Sequence, residues 1–280
     1  MSSILTNNGA MVALQTLKSV NDDLSKTQTS ISTGKEVGSA KDNSAVWAIS
    51  KTMESDIAGF EAIEEGLSIG EATVAVASAG AEQIVEKLTE MKELIVSAQS
   101  ENVDHEKIQT DITSKVEQIT SIIDAAQFNG ANLLKATVDG TATGLGVLAS
   151  LDRVGAGGAV SAVEITVDSV DFETDLDLGS MTQITDSASA ASALGEIETY
   201  LQTAITGAAS LGADAARLED QSEFVSNLVD SMTLGVSTMT DTNMEEASAR
   251  LSALQTQQDL ATQSLTIANE APSSLLQLFR

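Results

Sequence analysis

The sequence has no cysteine, which removes disulfides, thiolate catalysis and cysteine-ligated metal centres together. His105 is the only histidine, so the common zinc sites and histidine-based triads lack their parts. It falls in the polar stretch Glu101-Asn102-Val103-Asp104-His105-Glu106 and is expected to be a solvated loop residue between helices. Pro272 is the single proline, leaving long helices without their strongest breaker. Aromatic residues make up 2% of the 280, namely Trp47, Tyr200 and five phenylalanines. That is too few to line the cleft of a compact enzyme.

Positive charge is equally scarce. Lys and Arg number 14 against 41 Asp and Glu, a formal charge of −27, and after Arg153 only Arg217, Arg250 and Arg280 are basic. Such a surface repels phosphate backbones and anionic headgroups, so no nucleic-acid or membrane partner is expected. No run of about 18 apolar residues is present to span a bilayer. Met1 to Ala10 has neither a basic nor an apolar leader region, and no Sec-type signal peptide is read there.

Carboxylates are plentiful, but no aromatic-lined stretch accompanies them as a sugar cleft would need. In Glu173-Thr174-Asp175-Leu176-Asp177-Leu178-Gly179 a calcium loop would require Gly at the sixth place and Glu at the twelfth. Leu178 and Ile184 stand there, and a solvated acidic face is expected instead. Gly144-Leu145-Gly146 and Gly155-Ala156-Gly157-Gly158 lack the Lys-Ser/Thr partner of a phosphate loop and are expected to be flexible turns. No catalytic residue, metal site or cofactor is assigned.

What is abundant is heptad spacing. Apolar residues form 42% of the chain, mostly Ala, Leu, Ile, Val and Met. Phe60, Ile63, Leu67, Gly70, Val74, Ala77, Ala81, Ile84, Leu88, Met91, Ile95 and Ala98 alternate gaps of three and four. That alternation keeps one seam facing a partner helix. A second run extends from Leu194 through Ile197, Leu201, Ala204, Leu211, Leu218 and Val225 to Val236, with only Ser222 polar. Each helix would be about 60 Å long at 1.5 Å per residue. Ile108, Ile112, Ile119 and Ile122 mark a shorter helix between them.

Both ends continue the pattern. Leu14, Leu17, Leu24 and Ile31 lie on or near one stripe. Met244, Ala247, Leu251, Leu254, Gln258, Ala261, Leu265 and Ala268 keep strict gaps of three and four, a register that reaches Leu275 and Phe279. Domain termini are usually polar and frayed, so two amphipathic ends point to burial against other copies of the chain. The middle differs: glycines cluster over 136–160, and Val163 to Asp168 alternates apolar and charged residues like a strand. The expected fold is mainly α, an antiparallel coiled-coil-like bundle formed by both chain ends with a small β-rich insert.

Several segments together resemble bacterial flagellin. One runs from Ile4 to Leu14, with Leu17, Asn21, Leu24 and Gln28 after it. The second is Ile31-Ser32-Thr33-Gly34-Lys35 with Ser39-Ala40-Lys41-Asp42-Asn43 and Ala48-Ile49-Ser50, similar to the family's Leu-Ser-Ser-Gly … Ser-Ala-Lys-Asp-Asp … Ala-Ile-Ser. Phe128-Asn129-Gly130 with Leu133-Leu134 is similar to its Phe-Asn-Gly turn. The last spans Asp241 to Ala247 and Ala268-Asn269-Glu270-Ala271-Pro272. Val37-Gly38 and Trp47 depart from the family's usual Ile-Asn and Leu.

The resemblance implies a filament subunit with residues 1–43 and 237–280 as the two halves of an inner coiled-coil core. Residues 44–134 and 191–236 would be the halves of a helical rod domain, and 135–190 a short variable insert without large outer domains. It further implies self-polymerisation, an export apparatus and chaperone, cap and junction proteins as partners, and an extracellular flagellum reached without a cleaved signal peptide. A hook–filament junction protein of related architecture is the alternative.

Overall fold

The computed structural model describes residues 7–153 and 158–277, with side chains described to residue 270. In chain order the elements are α1 (Asn8–Thr33), α2 (Ser44–Ser97), α3 (His105–Ala125), β1 (Gly144–Arg153), β2 (Val160–Asp168), α4 (Phe172–Asp175), α5 (Ser187–Thr240) and α6 (Met244–Gln277). The fold is mainly α with a small two-stranded sheet in the middle. Two compact units are formed, a terminal one from residues 1–55 and 231–280 and a central one from 56–230.

In the central unit the heptad stripe of α2 is the core. Phe60, Ile63, Leu67, Val74, Ala77, Ala81, Ile84, Leu88, Met91, Ile95 and Ala98 are all buried. On α5 one residue per heptad is fully covered, at Ile197, Ala204, Leu211, Leu218 and Val225. Leu194, Leu201, Ala208 and Ala215 flank them half-buried. The spacing of seven follows from 3.6 residues per turn meeting a single seam.

Asp104 caps α3 by accepting from Lys107 N at 3.2 Å, and Ile112, Ile119 and Ile123 are its buried face. Glu90 of α2 bonds Lys115 of α3 and, at 2.7 Å, Lys87 of its own helix. The Lys115 and Lys87 bonds hold the Glu90 carboxyl below the usual carboxylate range. His105 is not a loop residue. It opens α3, and its Nε2 donates to the Ala98 carbonyl at 2.9 Å. The imidazole thereby satisfies a carbonyl left open where α2 ends.

The insert also departs from expectation at its glycines. Gly144 and Gly146 belong to β1, which pairs antiparallel with β2 from Gly144↔Asp168 to Arg153↔Val160. The register shifts between Leu148 and Ser150, so Ala149 is the extra residue of a bulge. The Ala149 side chain is buried, and its carbonyl accepts from Gln221 Nε2 at 2.8 Å. Glycines on α2 make the packing possible: a Cβ at Gly59 would lie 2.8 Å from Leu151 Cδ1, and one at Gly70 2.7 Å from Val147 Cγ2. Arg153 pairs with Asp56 at the far end of the hairpin.

In the acidic run Asp171 caps α4 by accepting from Thr174 N at 3.0 Å. Glu173, Asp175 and Asp177 are exposed, while Leu176 and Leu178 are buried. Gly207 of α5 is a site of close approach, where a Cβ would sit 2.6 Å from Val170 Cγ1 and 2.7 Å from Phe172 Cζ. Phe172 is fully buried and cannot swing aside. Gly207→Ala is therefore expected to destabilise by about 1–3 kcal/mol, as overpacking does. Thermal denaturation followed by circular dichroism checks it, and an unchanged midpoint would show that α4 yields freely.

Candidate functional site

The terminal unit is built on α1 and α6, which run antiparallel. Asn7 begins the pairing: its Oδ1 accepts from Ala10 N at 3.1 Å as a helix cap, and its Nδ2 donates to Ala268 O at 2.6 Å. Midway, Gln258 Nε2 donates to Asn21 Oδ1 at 2.7 Å. At the other end Gly34 closes α1 at φ 71°, a left-handed position natural to glycine. The chain beyond it bonds the α5–α6 connection through Glu36 N to Thr240 O at 2.7 Å and Thr242 N to Gly34 O at 2.9 Å.

Between the helices runs one apolar seam. On α6 it holds Ala247, Leu254 and Ala261 buried, with Leu251, Gln258, Leu265 and Ala268 half-buried. On α1 it holds Val20 and Thr27 buried, with Ala13, Leu17, Leu24 and Ile31 half-buried. Thr27 is tolerated there because its hydroxyl donates to Asp23 O at 2.9 Å. Leu14 and Met244 lie outside this seam, 58% and 46% exposed. Phe279 lies outside the described residues, as do Ile4 and the side chains of Pro272 and Leu275.

Further large apolar side chains of the helix pair remain in water. Met11, Val12 and Leu14 of α1 are 65%, 64% and 58% exposed, and Leu260 and Ile267 of α6 are 55% and 68% exposed. Val12, Thr16, Leu260 and Ser264 border a groove of about 450 Å³ between the two helices. Met11, Val12, Leu260 and Ile267 lie off the heptad stripes that the sequence displays. The seven-residue step from Leu260 to Ile267 is the signal that marks those two.

The family-signature residues do not form a pocket. Ser39 N and Oγ both donate to Asp42 Oδ2 at 2.9 Å. These bonds hold the Asp42 carboxyl below its usual range and shape a loop on which Ala40 and Lys41 are exposed. Phe128, Asn129 and Gly130 make a tight turn in the central unit, and Asn269 is exposed on α6. Among the described residues no group of three or more His, Asp or Glu could hold a metal ion, and no helix is long and apolar enough to cross a membrane.

Charge is divided unevenly. The terminal unit carries seven basic and ten acidic residues, net −3, whereas the central unit carries seven against 31, net −24. Exposed apolar side chains on a nearly neutral helix pair can associate without bringing large charges together.

Comparison with known proteins gives a single family. The bacterial flagellin N-terminal helical region matches residues 4–139, and the bacterial flagellin C-terminal helical region matches residues 194–279. The interval between them holds β1, β2 and α4. A flagellin of Brucella melitensis biotype 1 is 40% identical over 287 residues, covering 100% of both chains. The flagellin FljM of Caulobacter vibrioides is 38% identical over 283 residues, covering 100% of this chain and 99% of that one. Flagellin A of Rhizobium meliloti is 32% identical over 395 residues, again covering 100% of both.

Proposed function

The chain belongs to the bacterial flagellin family, and from that premise we propose that the exposed apolar side chains of the α1–α6 pair are what other copies bury. As a flagellin it is a structural subunit that polymerises into the bacterial flagellar filament, in a family of structural proteins rather than enzymes. The observation that carries the proposal is that five large apolar side chains on two paired helices are each more than half exposed. Burying a Leu or Ile side chain contributes about 1.5–3 kcal/mol, so a few such contacts per copy supply most of an association energy. Nothing favours the hook–filament junction reading.

In this reading the seam residues divide into two groups. Leu17, Leu24, Ile31, Leu251, Leu254 and Leu265 hold α1 to α6, whereas Leu14 and Met244 meet neighbouring copies, with Leu275 and Phe279 extending the latter set. Residues 1–43 and 237–280 serve as the inner coiled-coil core, 44–134 and 191–236 as the helical rod, and 135–190 as the variable insert. The chain is exported by the flagellum-specific system without a cleaved signal peptide, escorted by a chaperone. It then meets cap and junction proteins in the extracellular filament.

Because Leu14 and Ile267 are exposed, replacing both by Ser leaves the monomer intact. Far-ultraviolet circular dichroism and the thermal midpoint should match the parent chain. Seeded polymerisation followed by sedimentation should show a critical concentration raised about 100-fold, from roughly 1.5 kcal/mol lost at each position. Filaments forming at the parent concentration would move the assembly surface elsewhere.

A further inference from the structure

The turn that leaves α3 carries a chemistry that polymerisation does not use. Phe128 and Ala131 exchange both backbone hydrogen bonds, each 2.9 Å, so Asn129 and Gly130 form the whole of a two-residue turn. Their φ values, 50° and 87°, are those of a type I′ turn, for which Asn-Gly is the favoured pair. Both residues are exposed. Among the described residues neither the Asn129 side-chain amide nor the Gly130 N–H has a hydrogen-bond partner. A Cβ built on Gly130 would meet nothing within 4 Å, so the approach to its nitrogen is open.

We infer that Asn129–Gly130 is a site of spontaneous deamidation through a cyclic imide. The Gly130 main-chain nitrogen loses its proton to solvent base and attacks Cγ of Asn129. A nitrogen–Cγ bond forms, the Cγ–Nδ2 bond breaks, and Nδ2 departs as ammonia with a proton taken from water. Water then opens the imide at either carbonyl, leaving aspartate or isoaspartate at position 129. Nothing is oxidised or reduced, and water is the only co-reactant.

Five other asparagines are better protected. At the second Asn-Gly pair, Asn8–Gly9, the backbone is held in α1, and a Cβ on Gly9 would lie 3.6 Å from Asn7 Oδ1 and 3.9 Å from Ala268 Cβ. Asn43 precedes a serine, and its Oδ1 is held by Val46 N at 3.2 Å. Asn102, Asn132 and Asn243 precede Val103, Leu133 and Met244, whose side chains crowd the attacking nitrogen.

The product is not innocuous. Isoaspartate adds a methylene to the main chain inside a turn that closes in two residues. The strain falls on Asn132, whose buried amide donates to Ile123 O at 2.7 Å and accepts from Leu134 N at 2.9 Å. Leu133 and Leu134 beside it are fully buried. Each conversion also adds a negative charge to a unit already at −24.

The test is to store the purified full-length chain at neutral and at mildly alkaline pH and follow its peptides by mass spectrometry with an isoaspartate-specific methyltransferase assay. Asn129 should convert several-fold faster than Asn43, faster at the higher pH, with isoaspartate exceeding aspartate. The thermal midpoint should fall as isoaspartate accumulates, whereas Asn129→Asp, which has the charge without the methylene, should keep the midpoint of fresh protein. Equal rates at Asn129 and Asn43, or conversion of Asn129 only after unfolding in urea, would overturn the inference.

Discussion

Leu254→Asp is expected to abolish polymerisation while the central unit stays folded. Leu254 is buried in the α1–α6 seam, one heptad from Ala247 and one from Ala261. Its neighbours along the seam are Leu251, Gln258 and Leu265 on α6 and Leu17, Val20 and Leu24 on α1. Only Gln258 among these could donate to a carboxylate, and its amide is engaged with Asn21 Oδ1 at 2.7 Å. An ionised Asp at this position must lose its water without a partner, at a cost of several kcal/mol. A single seam between two helices has little stability in reserve against such a loss. The helices therefore part, and Val12 and Leu260 no longer border one groove. The central core, from Ile63 and Leu67 to Leu218 and Val225, is untouched.

Sedimentation after seeding should find no pelletable protein at concentrations where the parent chain assembles completely. Calorimetry should retain the main thermal transition. Ser252→Asp, on an exposed position of the same turn, is the control and should assemble normally. Ordinary filaments from Leu254→Asp would remove the seam from the assembly mechanism. Loss of the main transition would instead show that the two units fold as one.

Much of this arrangement was legible because one period governs it. The gaps of three and four from Phe60 to Ala98 name the buried apolar stripe of α2, and those from Ala247 to Ala268 name the buried and half-buried residues of the α6 seam. Periodicity identifies a face, however, and not what covers it. Leu14 lies near the stripe of Leu17 and Leu24 in sequence, yet the seam passes through Val20 and Thr27 and leaves Leu14 outside. Thr27 was hidden by its polarity, which a bond to the preceding turn satisfies.

Glycine concealed β1 for a different reason. Gly144 and Gly146 interrupt the alternation that Val147, Ala149 and Leu151 would otherwise display, and the bulge at Ala149 shifts it again. The glycines that matter most for packing, Gly59, Gly70 and Gly207, look from sequence like weak points in helices. They are close-approach sites set by residues far along the chain. His105 reads as a loop residue in the sequence because its partner is the end of the previous helix rather than a charge or a metal.

The critical concentration for assembly is expected to fall steeply as salt is added. A net −3 on the terminal unit offers little resistance to association, so the repulsion between copies comes from the −24 of the central unit. Two unit charges 10 Å apart in water repel by about 0.4 kcal/mol unscreened. Four such pairs per contact already exceed the roughly 1.4 kcal/mol that shifts an equilibrium tenfold. The Debye length is about 30 Å at 0.01 M ionic strength and about 3 Å at 1 M, so neighbours that repel across a lattice in dilute buffer cease to do so in strong salt. Sedimentation at NaCl concentrations between about 0.01 and 0.5 M should therefore show the threshold dropping about tenfold or more and then levelling off as screening completes.

The plateau distinguishes this cause from a strengthened apolar contact. Excluded salts such as sulfate continue to favour burial as their concentration rises, whereas screening saturates. Sodium chloride should give the plateau, and sodium sulfate at matched ionic strength should follow it at first and then fall below it. A threshold that is flat or rises with NaCl would mean that specific ion pairs between copies outweigh the net charge. Lys41, exposed on its loop and without an ion pair among the described residues, would then be the first residue to neutralise in search of them.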